Sequence, residues 1–293
     1  MILVVGATGF VGQRVVSRLA GQGRKVRALV RPGADAAKAD AVRADGVTLA
    51  EGDLKDRESI RRACQGVVTV ISTASATISR GAGDTIGTVD LDGQLTLVEA
   101  ARDAGVPHFI YLSFSGNIDV PSPLHDAKRG VERRLKESGM TYTIVRPSLF
   151  MEVWLSPHAG FDPVGGTVRI FGTGNAPVSV ISAPDVAQYL AACVDNPAVH
   201  NQTIELGGPQ ALSFNQVASM FEQALGRKLQ RNYVPVAALE QQVATATDPL
   251  QKTLAALGLG AARGDAIDNG PALAKARIAL TPVSDYVNRV AGI

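Results

Sequence analysis

The chain has 293 residues, of which 46% are hydrophobic, so it is long enough to bury the core of one large domain or two smaller ones. Its 29 basic and 27 acidic residues leave a net charge of +2, which gives no electrostatic reason to expect nucleic acid or an anionic membrane as a partner. Cys64 and Cys193 are the two cysteines. They lie far apart without a histidine cluster, so we expect neither a disulfide scaffold nor a bound metal.

The N-terminus carries no pattern typical of a targeting signal. The apolar run Ile2–Val5 leads directly into a glycine turn, without the basic and apolar segments of a signal peptide. We also find no apolar run close to the ~18 residues that a membrane-spanning helix needs. We therefore expect a cytoplasmic protein without a membrane span.

Short apolar runs alternate with amphipathic stretches in the first half of the chain, a pattern typical of βαβ units around a parallel sheet. Their nearly continuous apolar character suits strands that are covered by helices on both faces. The predicted strands are Ile2–Val5, Val26–Val30, Val47–Ala50, Val67–Thr73, Phe109–Ser113 and Tyr142–Val145.

The alternation weakens after about Pro147. Predicted strands there are Val168–Phe171, Val178–Ile181 and Thr203–Leu206, and predicted helices are Pro184–Asp195, Phe214–Leu225, Pro235–Leu257 and Pro282–Val290. We predict an α/β protein with a Rossmann-type, doubly wound parallel sheet over residues 1–155. Residues 156–293 are predicted to form a smaller C-terminal α/β substrate lobe, part of whose chain is free to return to the sheet.

The strongest motif is the run Gly6-Ala7-Thr8-Gly9-Phe10-Val11-Gly12, which follows a predicted strand and opens a predicted helix. The first glycine permits the sharp turn, the second lets backbone approach a diphosphate, and the third allows close packing of helix on sheet. The N–H groups of the helix start then face the phosphates. The alternative is a tight turn without a ligand. The predicted contacts here are Gly6, Thr8, Gly9, Phe10, Val11 and Gly12.

The end of the second strand distinguishes the two nicotinamide dinucleotides. An acidic residue there binds the ribose 2′-hydroxyl of NAD, whereas an arginine accommodates the 2′-phosphate of NADP. Arg31 occupies this place, and a guanidinium matches a phosphate bidentately. A solvated surface arginine is the alternative. We predict NADP(H) as the preferred cofactor, with NAD(H) as the other candidate.

Two further segments lie at the predicted carboxyl edge of the sheet, where ligands bind in open α/β folds. Asp53 follows the third strand and is predicted either to accept a hydrogen bond from the adenine amino group or to start a helix. Thr73, Ala74 and Ser75 end the fourth strand, where small residues let the cofactor pass.

Lys128 stands out within the predicted helix Leu124–Ser138. It shares an apolar stripe with Leu124, Val131 and Leu135, at spacings of three and four residues. An ammonium group in such a stripe needs a partner, because burying it alone is costly. The ribose hydroxyls of a cofactor would supply one. The alternative is that Lys128 lies at the margin of the stripe and extends to water.

These motifs together resemble a known family. They are similar to the extended and atypical short-chain dehydrogenases/reductases, and most of all to the NmrA-like NAD(P)-binding branch. The resemblance covers roughly residues 1–230. The segments that carry it are Gly6–Gly12, Gly52–Leu54, Gly93–Gly105, Val145–Pro147, Asp185–Ala187, Leu206–Pro209, Leu212–Ser213 and Ala224–Lys228.

The resemblance implies a cofactor across the carboxyl edge of the sheet, with its nicotinamide near the fifth and sixth strands and close to Pro147. The family's better-studied members use a serine and a Tyr-x-x-x-Lys pair. Ser115 matches the serine and Lys128 the lysine, but Leu124 stands at the tyrosine position. Leucine cannot donate a proton, so we consider the neighbouring His125 as a donor.

A segment after the sixth strand is predicted either to line a pocket for a flat apolar substrate or to form the core of the smaller lobe. Its candidate substrate contacts are Phe150, Met151 and Trp154. Two functions remain open. One is an NADPH-dependent oxidoreductase that transfers hydride to a small apolar carbonyl, enone or quinone-like compound. The other is an NADP(H)-sensing regulator or assembly factor that does not turn the cofactor over.

Overall fold

The computed structural model describes residues 1–78 and 80–293. The strands are β1 Ile2–Val5, β2 Val26–Val30, β3 Val47–Glu51, β4 Thr69–Ser72, β5 His108–Leu112, β6 Thr141–Pro147, β7 Phe161–Asp162, β8 Thr167–Phe171, β9 Pro177–Val178, β10 Gln202–Leu206, β11 Leu212–Ser213 and β12 Gln230–Val234. The α-helices are α1 Gly12–Gly21, α2 Ala36–Asp40, α3 Arg57–Cys64, α4 Gln94–Asp103, α5 Pro123–Glu137, α6 Met151–Trp154, α7 Ala183–Ala192, α8 Phe214–Leu225, α9 Val236–Thr245, α10 Pro249–Arg263, α11 Gly270–Lys275 and α12 Val283–Ala291.

Within the described residues, a seven-stranded parallel sheet has the order β3-β2-β1-β4-β5-β6-β10. The chain winds outwards from β1 in one direction to β3 and then returns to build β4, β5 and β6 on the other side. This reversal between β1 and β4 creates the crevice at which ligands bind in doubly wound folds. The predicted Rossmann-type α/β fold is confirmed.

Helices cover both faces of this sheet. On one face, α1 and α7 pack against each other, and buried side chains such as Val15 and Val186 close the core there. On the other face, α3, α4 and α5 contribute Ile60, Leu97 and Val131 to a second core. The central strands β1, β4 and β5 are buried along their whole length, as their apolar sequences predict.

The second half of the chain builds both the outer end of the sheet and a separate small core. β10 is the strand next to β6, and α7 belongs to the helical layer of the sheet. A smaller sheet of order β12-β8-β7 packs with α8 and α12 around Phe161, Phe221 and Tyr286. The assignment of residues 1–155 to cofactor and 156–293 to substrate stays a prediction.

One predicted helix and one predicted strand of the second half differ clearly from the structure. The segment Pro235–Leu257 is not one helix, because α9 ends before Asp248 and α10 begins after it. Asp248 accepts a hydrogen bond from the backbone N–H of Gln251 at 2.7 Å, and Pro249 has no N–H with which to continue a helix. The predicted strand Val178–Ile181 is shortened to β9.

Candidate cofactor cleft and active site

The turn between β1 and α1 is shaped by close backbone contacts. Gly6 has a φ of +80°, a conformation that favours glycine, and its carbonyl oxygen accepts a hydrogen bond from the N–H of Gly9 at 2.9 Å. A Cβ at Gly12 would lie 2.0 Å from the Gly6 oxygen, and a Cβ at Gly6 would lie 2.7 Å from the Ala74 nitrogen. The glycines are therefore required by the path of the backbone itself.

The start of α1 fits an anion. Val11 is the residue that precedes the helix, and in the part of the chain that is described no side chain caps this end. Its first turn also lacks acidic residues. N–H groups at an uncapped helix start need an outside acceptor, and a diphosphate supplies several oxygens for them. The turn Gly6–Gly12 is thus free of large side chains at its glycines and leads into an uncapped helix start, as a diphosphate site requires.

Thr73, Ala74 and Ser75 lie beside this turn and are half-buried. The N–H of Thr73 donates to the carbonyl oxygen of Val5 at 2.9 Å, which continues the pairing of β4 with β1 into the cleft. Phe10 is also half-buried, and its ring centroid lies 5.9 Å from that of Phe150. The structure therefore brings these predicted cofactor and substrate contacts to one edge of the sheet.

Arg31 directly follows β2, as predicted, and Nη1 donates to the carboxylate of Asp84. Lys55, which comes soon after β3, donates to the same carboxylate. Burial acts to raise the pKa of Asp84, but Lys55, the Gly81 N–H and Arg31 outweigh it and hold that pKa below its usual value. Arg31 and Lys55 therefore form a cationic pair held together by one carboxylate.

Asp53 lies next to this pair. Its Oδ1 accepts the backbone N–H of Lys55 at 2.8 Å, and its Oδ2 lies 3.6 Å from the Lys55 ammonium. The helix that follows is capped by Asp56, whose carboxylate accepts from two N–H groups of the first turn. Asp53 is therefore not the residue that starts the helix, and its contact with adenine stays a prediction.

Lys128 is buried on α5, with its side chain 6% exposed. The ammonium lies 3.4 Å from Oδ1 of Asp90, donates to the carbonyl oxygen of Leu112 at 3.3 Å, and lies 5.0 Å from the ring centroid of Tyr111. The sequence analysis predicted that this buried ammonium needs a partner. In the structure that partner is Asp90, a residue of the protein itself. Oδ1 of Asp90 and the hydroxyl of Tyr111 are buried without a hydrogen-bond partner among the described residues.

A π-helical segment, Ile86–Gly93, presents Asp90 to this lysine. Oδ2 of Asp90 accepts a hydrogen bond from the backbone N–H of Ala76 at 2.9 Å. This bond holds the carboxylate near the end of β4. Insertions of π-helix are frequent at functional sites because they redirect a side chain out of the regular helical pattern. Asp90 thus reaches Lys128 from a segment that is remote in sequence.

Ser115 is fully buried at the carboxyl end of β5. Its hydroxyl donates to Oδ1 of Asp265 at 2.6 Å, and Ser148 donates to the other carboxylate oxygen at 2.7 Å. Asn117 adds a third hydrogen bond, at 3.1 Å. The proton of the Ser115 hydroxyl is therefore engaged inside the protein, and donation of that proton to a substrate oxygen would require this contact to open.

His125 lies near the start of α5, with its side chain 17% exposed. Its Nε2 lies 2.9 Å from Asp119 and its Nδ1 lies 3.0 Å from Asp126. The ring therefore lies between two carboxylates, both of which can accept a hydrogen bond from it. Its ring centroid lies 6.4 Å from that of Phe114. Proton donation by His125 to a substrate stays a prediction.

The segment after β6 divides between the cleft and the smaller lobe. Pro147 ends β6 and is buried, while Phe150 is half-buried next to Phe10. Met151 is fully buried in the core of the second lobe, and the Trp154 ring packs 5.6 Å from that of Phe171 in the same cluster. Their contact with a substrate stays a prediction.

Four charged residues of the site were missed by sequence reasoning: Lys55, Asp84, Asp90 and Asp265. Lys55 had a signal, since it directly follows the Gly52–Leu54 motif at the carboxyl edge. Asp90 had a weaker one, as an acidic residue among the buried positions Ile86, Val89 and Gly93. Asp84 and Asp265 lie in irregular segments, where no periodicity indicates a partner.

Two kinds of feature are absent from the described residues. Residues 1–78 and 80–293 contain no helix that is both long and apolar enough to span a bilayer. In the same residues, no three His, Cys, Asp or Glu side chains converge as ligands for a metal ion.

Comparison with known proteins relates the whole fold to one family. The NmrA-like family model matches residues 1–281. The photosystem II assembly factor Ycf39 of Trieres chinensis is 32% identical, covering 80% of this chain and 72% of its own length. The isoflavone reductase homolog IRL of Zea mays is 30% identical, covering 98% and 97%.

Solved structures agree in fold. The Escherichia coli NADPH-dependent quinone oxidoreductase complexed with NADPH has a TM-score of 0.80 at 24% identity and covers 99% of both chains. The Citrobacter sp. triphenylmethane reductase complexed with NADP(H) has a TM-score of 0.79 at 22% identity, covering 99% of this chain and 100% of its own. The family match spans the sheet, the glycine turn and the second lobe, and we conclude that the chain belongs to the NmrA-like family.

Proposed function

We propose that this protein is an NADPH-dependent reductase that transfers hydride to a small apolar carbonyl, enone or quinone-like compound. The observation that carries the proposal is the turn Gly6–Gly12, whose closely packed glycines lead into an uncapped helix start that suits a diphosphate. Arg31 and Lys55 add positive charge where the ribose 2′-phosphate of NADP would lie. Relatives include an isoflavone reductase homolog, and solved neighbours include NADPH-dependent enzymes.

The opposite end of the cleft supplies the environment for the reaction. The bound nicotinamide would supply the hydride, so the protein needs chiefly to orient the reactants and exclude water. Lys128 adds a buried positive charge near the carboxyl end of β5, and Phe150 adds an apolar surface beside the turn. A conjugated carbon or quinone as hydride acceptor demands less of a proton donor, which suits Leu124 at the tyrosine position.

The proposal is tested by following NADPH oxidation at its absorbance with a panel of quinones, enones and aldehydes. We expect turnover with at least one class and a preference for NADPH over NADH. Arg31→Ala should weaken NADPH binding more than NADH binding, because only NADPH carries the 2′-phosphate. An equal loss for both cofactors would refute the assignment of NADP.

A second candidate is a protein that binds NADP(H) as a sensor or assembly factor without turning it over. The favouring observation is that Lys128 and Ser115 are engaged by Asp90 and Asp265, while Leu124 stands where a proton donor is expected. One relative is named as a photosystem II assembly factor. Tight NADPH binding without oxidation by any compound of the panel, unchanged in Lys128→Ala, would favour this second candidate over the reductase.

A further inference from the structure

Asp84 makes contacts on three sides within a short turn. Its carboxylate accepts from the ammonium of Lys55, from Nη1 of Arg31 and, at 2.7 Å, from the backbone N–H of Gly81. Lys55 also donates to the carbonyl oxygen of Ala82 at 3.1 Å. The turn from Gly81 to Asp84 is therefore closed by its own carboxylate and attached to the ends of β2 and β3 at the same time.

Burial and exposure differ sharply within this group. The Asp84 side chain is 4% exposed, whereas that of Arg31 is 42% exposed and that of Lys55 is 29% exposed. A ligand that arrives from solvent therefore meets the two cations before it meets the carboxylate. Nη1 of Arg31 faces Asp84, and among residues 1–78 and 80–293 no group bonds its Nε or Nη2.

This arrangement suits a role for Asp84 in positioning Arg31 and Lys55 better than a role in competing with the ligand's phosphate for them. A guanidinium carries five N–H donors in a rigid plane, so an acceptor at Nη1 leaves the other nitrogens free for two phosphate oxygens. Asp84 also reduces the number of conformations that the long arginine and lysine side chains sample before they bind. The site is thus ordered in advance of the ligand.

We propose that Asp84 is a specificity-determining residue for NADP(H), because it orients Arg31 and Lys55 towards the ribose 2′-phosphate. This inference rests on the proposed function only in that the ligand is a nicotinamide dinucleotide. It does not require turnover, and it applies equally to a reductase and to a sensor. NADPH and NADH differ only in the 2′-phosphate, so the ratio of their dissociation constants isolates the effect.

The direct test is Asp84→Asn, with binding of NADPH and NADH measured by cofactor fluorescence at fixed ionic strength. Asparagine retains an oxygen for the Gly81 N–H, so the turn is kept while the charge is lost. We expect NADPH affinity to fall about 10-fold and NADH affinity to change less than about 2-fold, as the loss of one charge-assisted contact implies. Asp103→Asn is the matched control, because Asp103 pairs with Arg102 at the opposite edge of the sheet.

A second variant, Gly81→Ala, perturbs the same site without removing a charged group. A Cβ at Gly81 would lie 2.7 Å from Nη1 of Arg31, so Gly81→Ala displaces the guanidinium from its position. We expect a loss of NADPH affinity in the same direction as in Asp84→Asn, again with NADH affinity retained. Gly83→Ala would instead strain the turn itself, because Gly83 has a φ of +75°.

The outcomes separate this inference from the proposed function. An NADPH preference that Asp84→Asn leaves unchanged overturns the inference alone, and so does an equal loss for both cofactors. Tighter NADPH binding in Asp84→Asn would make Asp84 a competitor of the phosphate and overturn it as well. A wild-type protein without affinity for either cofactor overturns the inference and the proposed function together.

Discussion

The two ends of the cofactor cleft are built in different ways. At the diphosphate end, the turn Gly6–Gly12 offers backbone N–H groups, and its shape depends on the absence of side chains. At the proposed catalytic end, by which we mean Lys128 and Ser115, the candidate groups are buried side chains that already have internal carboxylate partners. The proposed diphosphate site thus depends on the path of the main chain, whereas the proposed catalytic end depends on contacts between remote segments.

This difference indicates where substitutions are tolerated. The turn Gly6–Gly12 should lose cofactor affinity when a side chain is added to it. It carries little buried charge, so no counter-charge is lost with it. A buried ion pair behaves in the opposite way. Removing one partner leaves the other charge buried without a counter-charge, which lowers the free energy of unfolding. The protein should therefore lose stability through the catalytic end and cofactor affinity through the diphosphate end.

The largest effect is expected for Lys128→Met. It leaves the carboxylate of Asp90 buried and unpaired, so the free energy of unfolding should fall by about 3–5 kcal/mol in urea titrations. The double variant Lys128→Met/Asp90→Asn should recover most of this loss, because asparagine is uncharged and still accepts from Ala76. A loss below about 1 kcal/mol in the single variant would show that the pair does not matter to stability.

Gly12→Ala should weaken cofactor binding and should also disturb the packing of the turn. Its Cβ would lie 2.0 Å from the carbonyl oxygen of Gly6, so the helix start must move away from the diphosphate position. We expect NADPH affinity to fall about 100-fold, equivalent to the loss of two charge-assisted hydrogen bonds. Gly21→Ala is the matched control at the other end of α1, where a Cβ meets no atom of the described chain within 4 Å. Equal affinities in the two variants would contradict the role of the turn.

Ser115→Ala tests whether the catalytic end is held by Asp265. Removal of the hydroxyl takes one donor from a buried carboxylate, and the free energy of unfolding should fall by about 1.5 kcal/mol. Ser148→Ala should cost a similar amount, since Ser148 donates to the other oxygen. Ser219→Ala, on the exposed side of α8, should stay within about 0.5 kcal/mol of wild type. If Ser115→Ala behaves like Ser219→Ala, the Asp265 contact is not a structural one.

The smallest expected effect concerns pH and Asp84. Its pKa is held below the usual 3.8, so the unfolded chain binds the proton more tightly than the folded one. The stabilisation is therefore fully present above about pH 4 and is lost as pH falls through the lowered value. We expect wild type and Asp84→Asn to differ by less than about 1 kcal/mol, constantly between about pH 5 and 8, and to converge in stronger acid. A difference that varies between pH 5 and 8 would contradict this assignment.

Much of the fold was predictable because its signals are local. The bounds of β1, β2 and α8 match the predicted segments, since each is a compact apolar or amphipathic run between turn residues. The burial of Lys128 also followed from its place in an apolar stripe. The break at Asp248 was missed because an amphipathic pattern continues across it, although Pro249 was a visible signal.

The sequence by itself determined the cradle and the winding of the sheet, because glycine spacing and apolar periodicity act within a few residues of the chain. Only the tertiary structure decided the partners of the charges. Asp90 meets Lys128, Asp265 meets Ser115, and Asp84 joins Arg31 to Lys55. Each contact joins segments that are distant in sequence, and its distance depends on how helices and loops pack around the sheet. No local pattern carries that information.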